Sequence, residues 1–213
     1  PFFINCHNGD ILLGVTTANK SADSKTIFYR SANDGETWTK EGSYIDLKKN
    51  VTNNATDGYA TYGQGITLRH GGNLGSRKLM FPYFYNAPDK NKHGYYVAIM
   101  SSEDDGKNFK SICESFYFNK KTNAGNIGSF SSYISKIIEL ANGDILLNMR
   151  TSGLNGWTFW MLSTNCGKNW DITVGNTGEE NTKNPVWGKN ADFIRYEFNG
   201  KDIKLGGDKY ALM

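Results

Sequence analysis

The sequence is short of the residues that build metal centres and disulfide frameworks. Its 213 residues hold three cysteines and three histidines. Cys6, Cys113 and Cys166 are odd in number, and His7, His70 and His93 are scattered, so a structural zinc site is not expected and intrachain disulfides cannot pair every thiol. No D-x-D-x-D-G loop presents the oxygen ligands that calcium takes. No apolar run approaches the about 20 residues of a membrane-spanning helix. The opening PFFINCHNGD lacks the basic start and apolar stretch of a signal peptide; since it begins at Pro1 rather than Met, a targeting segment outside it stays open. Charge of one sign is also scarce: 24 Lys+Arg stand against 21 Asp+Glu, a net +3. The basic residues are dispersed, with Lys48-Lys49 and Lys120-Lys121 reading as solvated surface, which argues against a nucleic-acid partner. Proline occurs only four times.

What is abundant points one way. Hydrophobic residues make up 38%, too many for a disordered chain. Aromatics reach 14% and glycine 24 residues, with asparagine also frequent. Aromatics suit strands, while Gly and Asn suit tight turns with positive φ. The composition is that of an all-β protein. Even SYISKIIEL (132–140), the best helix candidate, is rich in β-branched residues and runs into Asn142-Gly143, so it is expected to be a strand entering a hairpin.

The chain repeats itself. NGDILL stands at 8–13 and again at 142–147, each time reading as strand–turn–strand. A second motif, S-x-D/N-x-G-x-x-W/F, appears as SANDGETW (31–38), within SSEDDGKNF (101–109) and as STNCGKNW (163–170). Asn33, Asp104 and Asn165 are placed to fold back onto backbone N–H groups. Gly35, Gly106 and Gly167 permit positive φ. Trp38, Phe109 and Trp170 are expected to bury a ring beneath the turn. The motif is therefore structural and is given no ligand role. A fourth, partial unit reads DFIRYEFNGKDIKL (192–205). Units of about four strands recurring in this way indicate a β-propeller, with a β-sandwich as the alternative. The longest polar stretch, KKNVTNNATDG (48–58), reads as a loop; its sequons at Asn50 and Asn54 carry meaning only in a secretory compartment.

Three such boxes resemble the Asp boxes of sialidases (neuraminidases). Flanking segments add to the likeness. PFFINCHNGDILLG resembles the blade that follows that family's FRIP motif, beginning at its proline. YGQGITLRHGGNLGSRKLMFPYFY (62–85) resembles its glycine-rich strand leading to P-x-Y, and SKIIELANGDILLNMR (135–150) the strand pair ending in N-x-R. GKNADFIRYEF (188–198) resembles the opening strand of a further blade. The resemblance implies a six-bladed propeller, of which residues 1–213 would be a single, incomplete domain of about four blades or blade parts.

It also implies a chemistry. Sialic acid carries a carboxylate on its anomeric carbon, which repels a carboxylate nucleophile, and such enzymes use tyrosine instead. By resemblance Asp23, in the loop TTANKSADSKT (16–26), is the acid/base. Asn19 stands where many bacterial members carry an additional arginine. Arg150 is the carboxylate clamp. Tyr83 and Tyr85, which share a strand face, match positions that touch the sugar in some members, with packing between blades as the alternative. Phe81 and Phe84 read as core, Trp157 and Trp160 as packing, and Arg69 and Arg195 as surface or loop residues. The largest departure is at Ile134, which stands where the family has its catalytic glutamate; Glu139 matches a different acidic position five residues on. The tyrosine nucleophile and the remaining arginines are not found here. The implied function is thus a retaining exo-α-sialidase acting on sialylated glycans, without metal or cofactor, and inactive as these residues alone. The alternative is a non-catalytic carbohydrate-binding propeller. The resemblance favours a secreted or cell-surface location.

Overall fold

The computed structural model describes residues 1–17, 24–51, 55, 57–60, 62–70, 78–86, 95–113, 118–121, 127–152, 158–174, 197–198 and 201–202. These form three five-stranded sheets and a small hairpin. The first sheet comprises β1 (Phe2–Asn5), β2 (Ile11–Thr17), β3 (Lys25–Ser31) and β4 (Thr39–Ile45). The second comprises β5 (Asp57–Ala60), β6 (Gly63–Gln64), β7 (Ile66–Thr67), β8 (Leu79–Asn86), β9 (Tyr95–Ser102) and β10 (Lys110–Ser111), except that β6 pairs with β1 of the first sheet. The third comprises β11 (Phe118–Lys121), β12 (Ile127–Glu139), β13 (Ile145–Ser152), β14 (Thr158–Ser163) and β15 (Asp171–Val174). The residues of the fourth sequence unit that are described form a hairpin of β16 (Glu197–Phe198) and β17 (Lys201–Asp202). Apart from the parallel pair β1–β6, the paired strands of each sheet are antiparallel, and most follow one another in chain order, which is the order of a propeller blade. Residues 132–140 lie in and just beyond β12, a strand as expected.

Local chemistry explains the hairpins. In both NGDILL copies the asparagine side chain caps its own turn: Asn8 Oδ1 accepts from Asp10 N–H and Asn142 Oδ1 from Asp144 N–H, each at 3.1 Å. Gly9 and Gly143 supply φ of 92° and 87°. The three boxes are equally alike. Gly35, Gly106 and Gly167 donate their N–H to Ser31, Ser102 and Ser163 Oγ at 2.9, 2.8 and 2.8 Å. Thr37, Asn108 and Asn169 donate theirs to the side-chain oxygens of Asn33, Asp104 and Asn165 at 2.9, 2.9 and 2.8 Å.

Of the three side chains that close the boxes, Asn33, Asp104 and Asn165, only Asp104 is ionisable. Burial alone would push the Asp104 carboxyl up, but hydrogen bonds from Asn108 and Ser102 together draw it below its ordinary value. A carboxylate depressed in the folded state contributes stability above its unfolded pKa and loses it as pH falls through the folded pKa. Asp104→Asn should therefore flatten part of the acid loss of stability, read as urea midpoints between about pH 5 and pH 2.

The aromatic of each box does not have the same fate. Phe109 is buried and Trp170 partly so, but Trp38 is 37% exposed and touches only Phe3 among described ring contacts. The expectation of three buried rings is corrected at Trp38. Phe109 packs on Phe28 and Phe81 between the first two sheets, and Gly167 of the third box abuts Ile112 and Met80 of the second. The second and third boxes are each covered by the sheet before them in the chain.

Two cores result. Phe2, Ile4, Leu12 and Phe28 pack against Phe81, Tyr83, Tyr85 and Met100. Met80, Val97 and Ile99 pack against Ile137, Leu147 and Met149. The middle sheet is thus apolar on both faces. That is why β8 reads as an unbroken LMFPYFY rather than alternating, and why it is buried from Leu79 to Tyr85.

The innermost strands all start from one rim. β1 runs parallel to β6, which continues the direction of β5. Glu139, at the end of β12, receives N–H groups of Arg69 and His70 just past the end of β7, at 2.7 and 2.9 Å. The hairpin turns and boxes occupy the far rim. The near rim carries the starts of β1, β5 and β12 together with the end of β2, where Thr17 pairs with Lys25, and the end of β13.

Candidate binding cleft

A cleft of about 340 Å³ opens between the first two sheets, toward the near rim. Its walls include Phe2 of β1, Val15 and Thr16 of β2, Tyr59 of β5, Phe84 of β8, and Tyr62 between β5 and β6. The volume falls at the lower end of small-molecule pockets, and the mix of aromatic walls with few polar groups is their usual make-up. Tyr59 and Phe84 lie ring to ring at 5.4 Å. Thr16 Oγ1 contacts Thr26 Oγ1 at 3.0 Å and accepts from Ala60 N–H at 3.4 Å, which ties the two sheets together at the floor. Ser24 Oγ accepts from Gly58 N–H at 3.0 Å and does the same nearer the rim.

Glycine makes the close approach possible. A Cβ on Gly14 would lie 2.2 Å from the Phe2 ring, and one on Gly58 would lie 2.3 Å from the Tyr83 hydroxyl. Aromatic rings therefore lie against bare backbone beside the cleft.

Among the described residues that line it, no side chain carries a charge. Burial, then the nearby Asp57 carboxylate and Tyr62, push the Tyr59 phenol above its ordinary range. At neutral pH this hydroxyl donates and accepts hydrogen bonds but is no activated nucleophile. The cleft can hold a neutral, ring-shaped ligand by stacking and a few hydroxyl contacts. Among the described residues no group of three or more His, Cys, Asp or Glu could hold a metal ion, and no helix is long and apolar enough to cross a membrane.

The residues singled out in the sequence are distributed unevenly around this cleft. Asp23, Asn19, Asn54, Trp157 and Arg195 lie outside the described residues. Arg150 is on β13, paired with Thr158 of β14, two residues from the near-rim end of its strand. Between Ser132↔Thr151 and Ser135↔Met149 the β12–β13 register slips by one, so Tyr133 and Ile134 together oppose Arg150. This is a β-bulge, and simple alternation of faces does not carry across it.

Tyr83 and Tyr85 are on the face of β8 that meets the first sheet, 1% and 0% exposed, with rings stacked 6.2 Å apart. Tyr85 stacks in turn on Tyr96 at 5.4 Å. Both stand in the packing position, and neither turns a ring to solvent. Burial, followed by the Asp46 and Asp57 carboxylates, pushes the Tyr83 phenol far above its ordinary value. Phe81 is core, as read from the sequence, and Phe84 is buried yet forms part of the cleft wall. The sequence reading missed Tyr59, Tyr62 and Thr16. Tyr62 opens the glycine-rich YGQG string, which was the one available signal.

Solved structures share this fold. The chain aligns over 82% of its length with a Hadza microbial sialidase at 19% identity and a TM-score of 0.59. It aligns over 81% with the Trypanosoma rangeli sialidase bound to 2,3-difluorosialic acid, at 18% identity and 0.54. It aligns over 83% with a Fusarium graminearum α-L-arabinofuranosidase bound to an iminosugar inhibitor, at 14% identity and 0.62. The aligned part is 33%, 27% and 47% of those chains, respectively, so this chain spans less than half of each. No protein-family model and no curated protein sequence matches it. The fold is a β-propeller of the kind found in these glycoside hydrolases.

Proposed function

We propose that the chain is part of an exo-α-sialidase, a retaining glycoside hydrolase that releases terminal sialic acid. Asp23 acts as acid/base, protonating the leaving-group oxygen and later taking a proton from water. Arg150 binds the substrate carboxylate through charge-assisted hydrogen bonds. The observation that supports the reading most directly is one of place. Arg150 lies near the near-rim end of β13 opposite a bulge, the strand residues Thr17 and Lys25 that flank Asp23 in the sequence pair at that same rim, and the cleft opens there. The fold shared with two sialidases agrees with it.

A second reading, a sialic-acid-binding propeller without turnover, draws on Ile134, whose hydrocarbon side chain cannot take a proton. Hydrolysis of an umbelliferyl sialoside by the whole protein separates the two. The enzyme reading expects turnover that falls at least about a hundredfold in Asp23→Ala, and a weaker hold on sialosides in Arg150→Ala with neutral sugars unaffected. Sialoside binding without hydrolysis favours the second reading. Turnover of arabinosides with no response to sialosides overturns both.

A further inference from the structure

The innermost strand of the middle sheet does not run straight. β5 pairs with β8 over Tyr83–Asn86 and β7 over Leu79–Met80, so among the described pairings neither reaches Phe81 or Pro82. Proline has no N–H to give a central ladder, so a gap at this point suits it. Where the strand leaves β8, residues 62–65 cross to the first sheet instead. Gly63 and Gln64 pair in parallel with Phe2 and Phe3, Gly63 N–H donates to Pro1 O at 3.3 Å, and Gly65 N–H donates to Phe3 O at 2.8 Å. From the other side Lys136 of β12, 6% exposed, donates its Nζ to the carbonyl of Tyr62. The excursion is therefore a strap belonging to the second sheet, sewn to the first by backbone and to the third by one buried lysine. Tyr62 rides on it, 55% exposed, as a wall of the cleft.

We propose that Tyr62 is a ligand-contacting, specificity-determining residue of the cleft, offering its ring to the apolar face of a sugar, and that Lys136 is its positioning residue. Only the carbohydrate reading above is needed for this, not its sialic-acid detail. The Lys136 amine crosses from the third sheet to a backbone carbonyl of the strap, which an apolar side chain of similar volume could pack against but not hold by a directed hydrogen bond. What the lysine adds is direction: it fixes the backbone at the residue that forms the mouth of the cleft. A tyrosine has little rotamer freedom to lose on stacking, so fixing its backbone settles most of the ring's placement.

The test is a double-mutant cycle on sugar affinity, followed by NMR titration with sialyllactose and, separately, with lactose and arabinobiose. Tyr62→Ala and Lys136→Met should each weaken the bound sugar about tenfold. The double variant should be no weaker than Tyr62→Ala, because Lys136 acts through Tyr62. Lys136→Arg, which keeps a donor, should recover most of the affinity. A merely structural lysine would lower affinity equally in the presence and absence of the Tyr62 ring, and that additivity overturns the proposal. Unchanged affinity in Tyr62→Ala, whose exposed side chain is not needed for folding, also overturns it, as does failure of the native protein to bind any of the three sugars. Binding of a neutral sugar but not sialyllactose, with the cycle as expected, removes the sialidase reading and leaves this one standing.

Discussion

Glu139→Ala is expected to lower the stability of the fold by about 2–3 kcal/mol, because hydrogen bonds to a charged group are the strong ones and two are lost together. The carboxylate is 4% exposed, and it gathers the N–H groups of Arg69 and His70 from the end of the neighbouring innermost strand. It is thus a clamp between the second and third sheets at the far rim. Next to it, the turn at Gly143 approaches His70 so closely that a Cβ there would lie 2.9 Å from the His70 carbonyl oxygen. Glu139→Gln keeps one acceptor oxygen and should retain roughly half of the effect. Urea unfolding of the three proteins at neutral pH measures both differences. If Glu139→Ala unfolds at the native midpoint, the clamp contributes nothing and the sheets are held by their apolar cores alone.

Gly106→Ala should be comparably harmful for two separable reasons. The residue has φ of 87°, where an L side chain is strained by about 1–2 kcal/mol. Its added Cβ would also lie 2.6 Å from Leu12 Cδ2 in the first core, which costs about 1–3 kcal/mol more in a packed interior. Gly9 provides the control: its φ is 92°, but nothing lies within 4 Å of the Cβ site. Gly9→Ala should thus show the backbone strain alone, about 1–2 kcal/mol. The excess in Gly106→Ala reports how tightly the second box is pressed against the first sheet. Adding Leu12→Ala should reduce that excess, so that the two changes together cost less than their sum. Strict additivity would mean that Leu12 is not what the new methyl meets.

Particular residues show where sequence reasoning succeeded and where it ran out. Asn8-Gly9, Asn142-Gly143 and the three boxes were legible because every bond that shapes them closes within a few residues. The strand through 132–140 was legible for the same reason, from β-branched residues followed by a turn. The fate of Trp38 was not, because a box aromatic is buried only by another sheet, and that partner is remote in sequence. Nor was the bulge opposite Arg150: it arises when two strands with one surplus residue between them settle into register, and neither strand alone shows it. Lys136 gave no signal at all. A lysine directly before an isoleucine reads as the solvent side of a strand, yet here the strap of the second sheet meets it. Tyr83 and Tyr85 posed a choice between sugar contact and packing that only their surroundings could inform, and they are enclosed.

By itself the sequence determined the kind of unit this protein is made of: an all-β chain of recurring hairpins with the same capped turns. Those choices rest on backbone conformations and hydrogen bonds between near neighbours. The tertiary structure alone decided which innermost strand would break away at Pro82, which tyrosines would be sealed and which exposed, and that a lysine of the third sheet would hold the wall of a cleft between the first two. Those outcomes depend on which faces meet, and a face is completed only by residues far away along the chain.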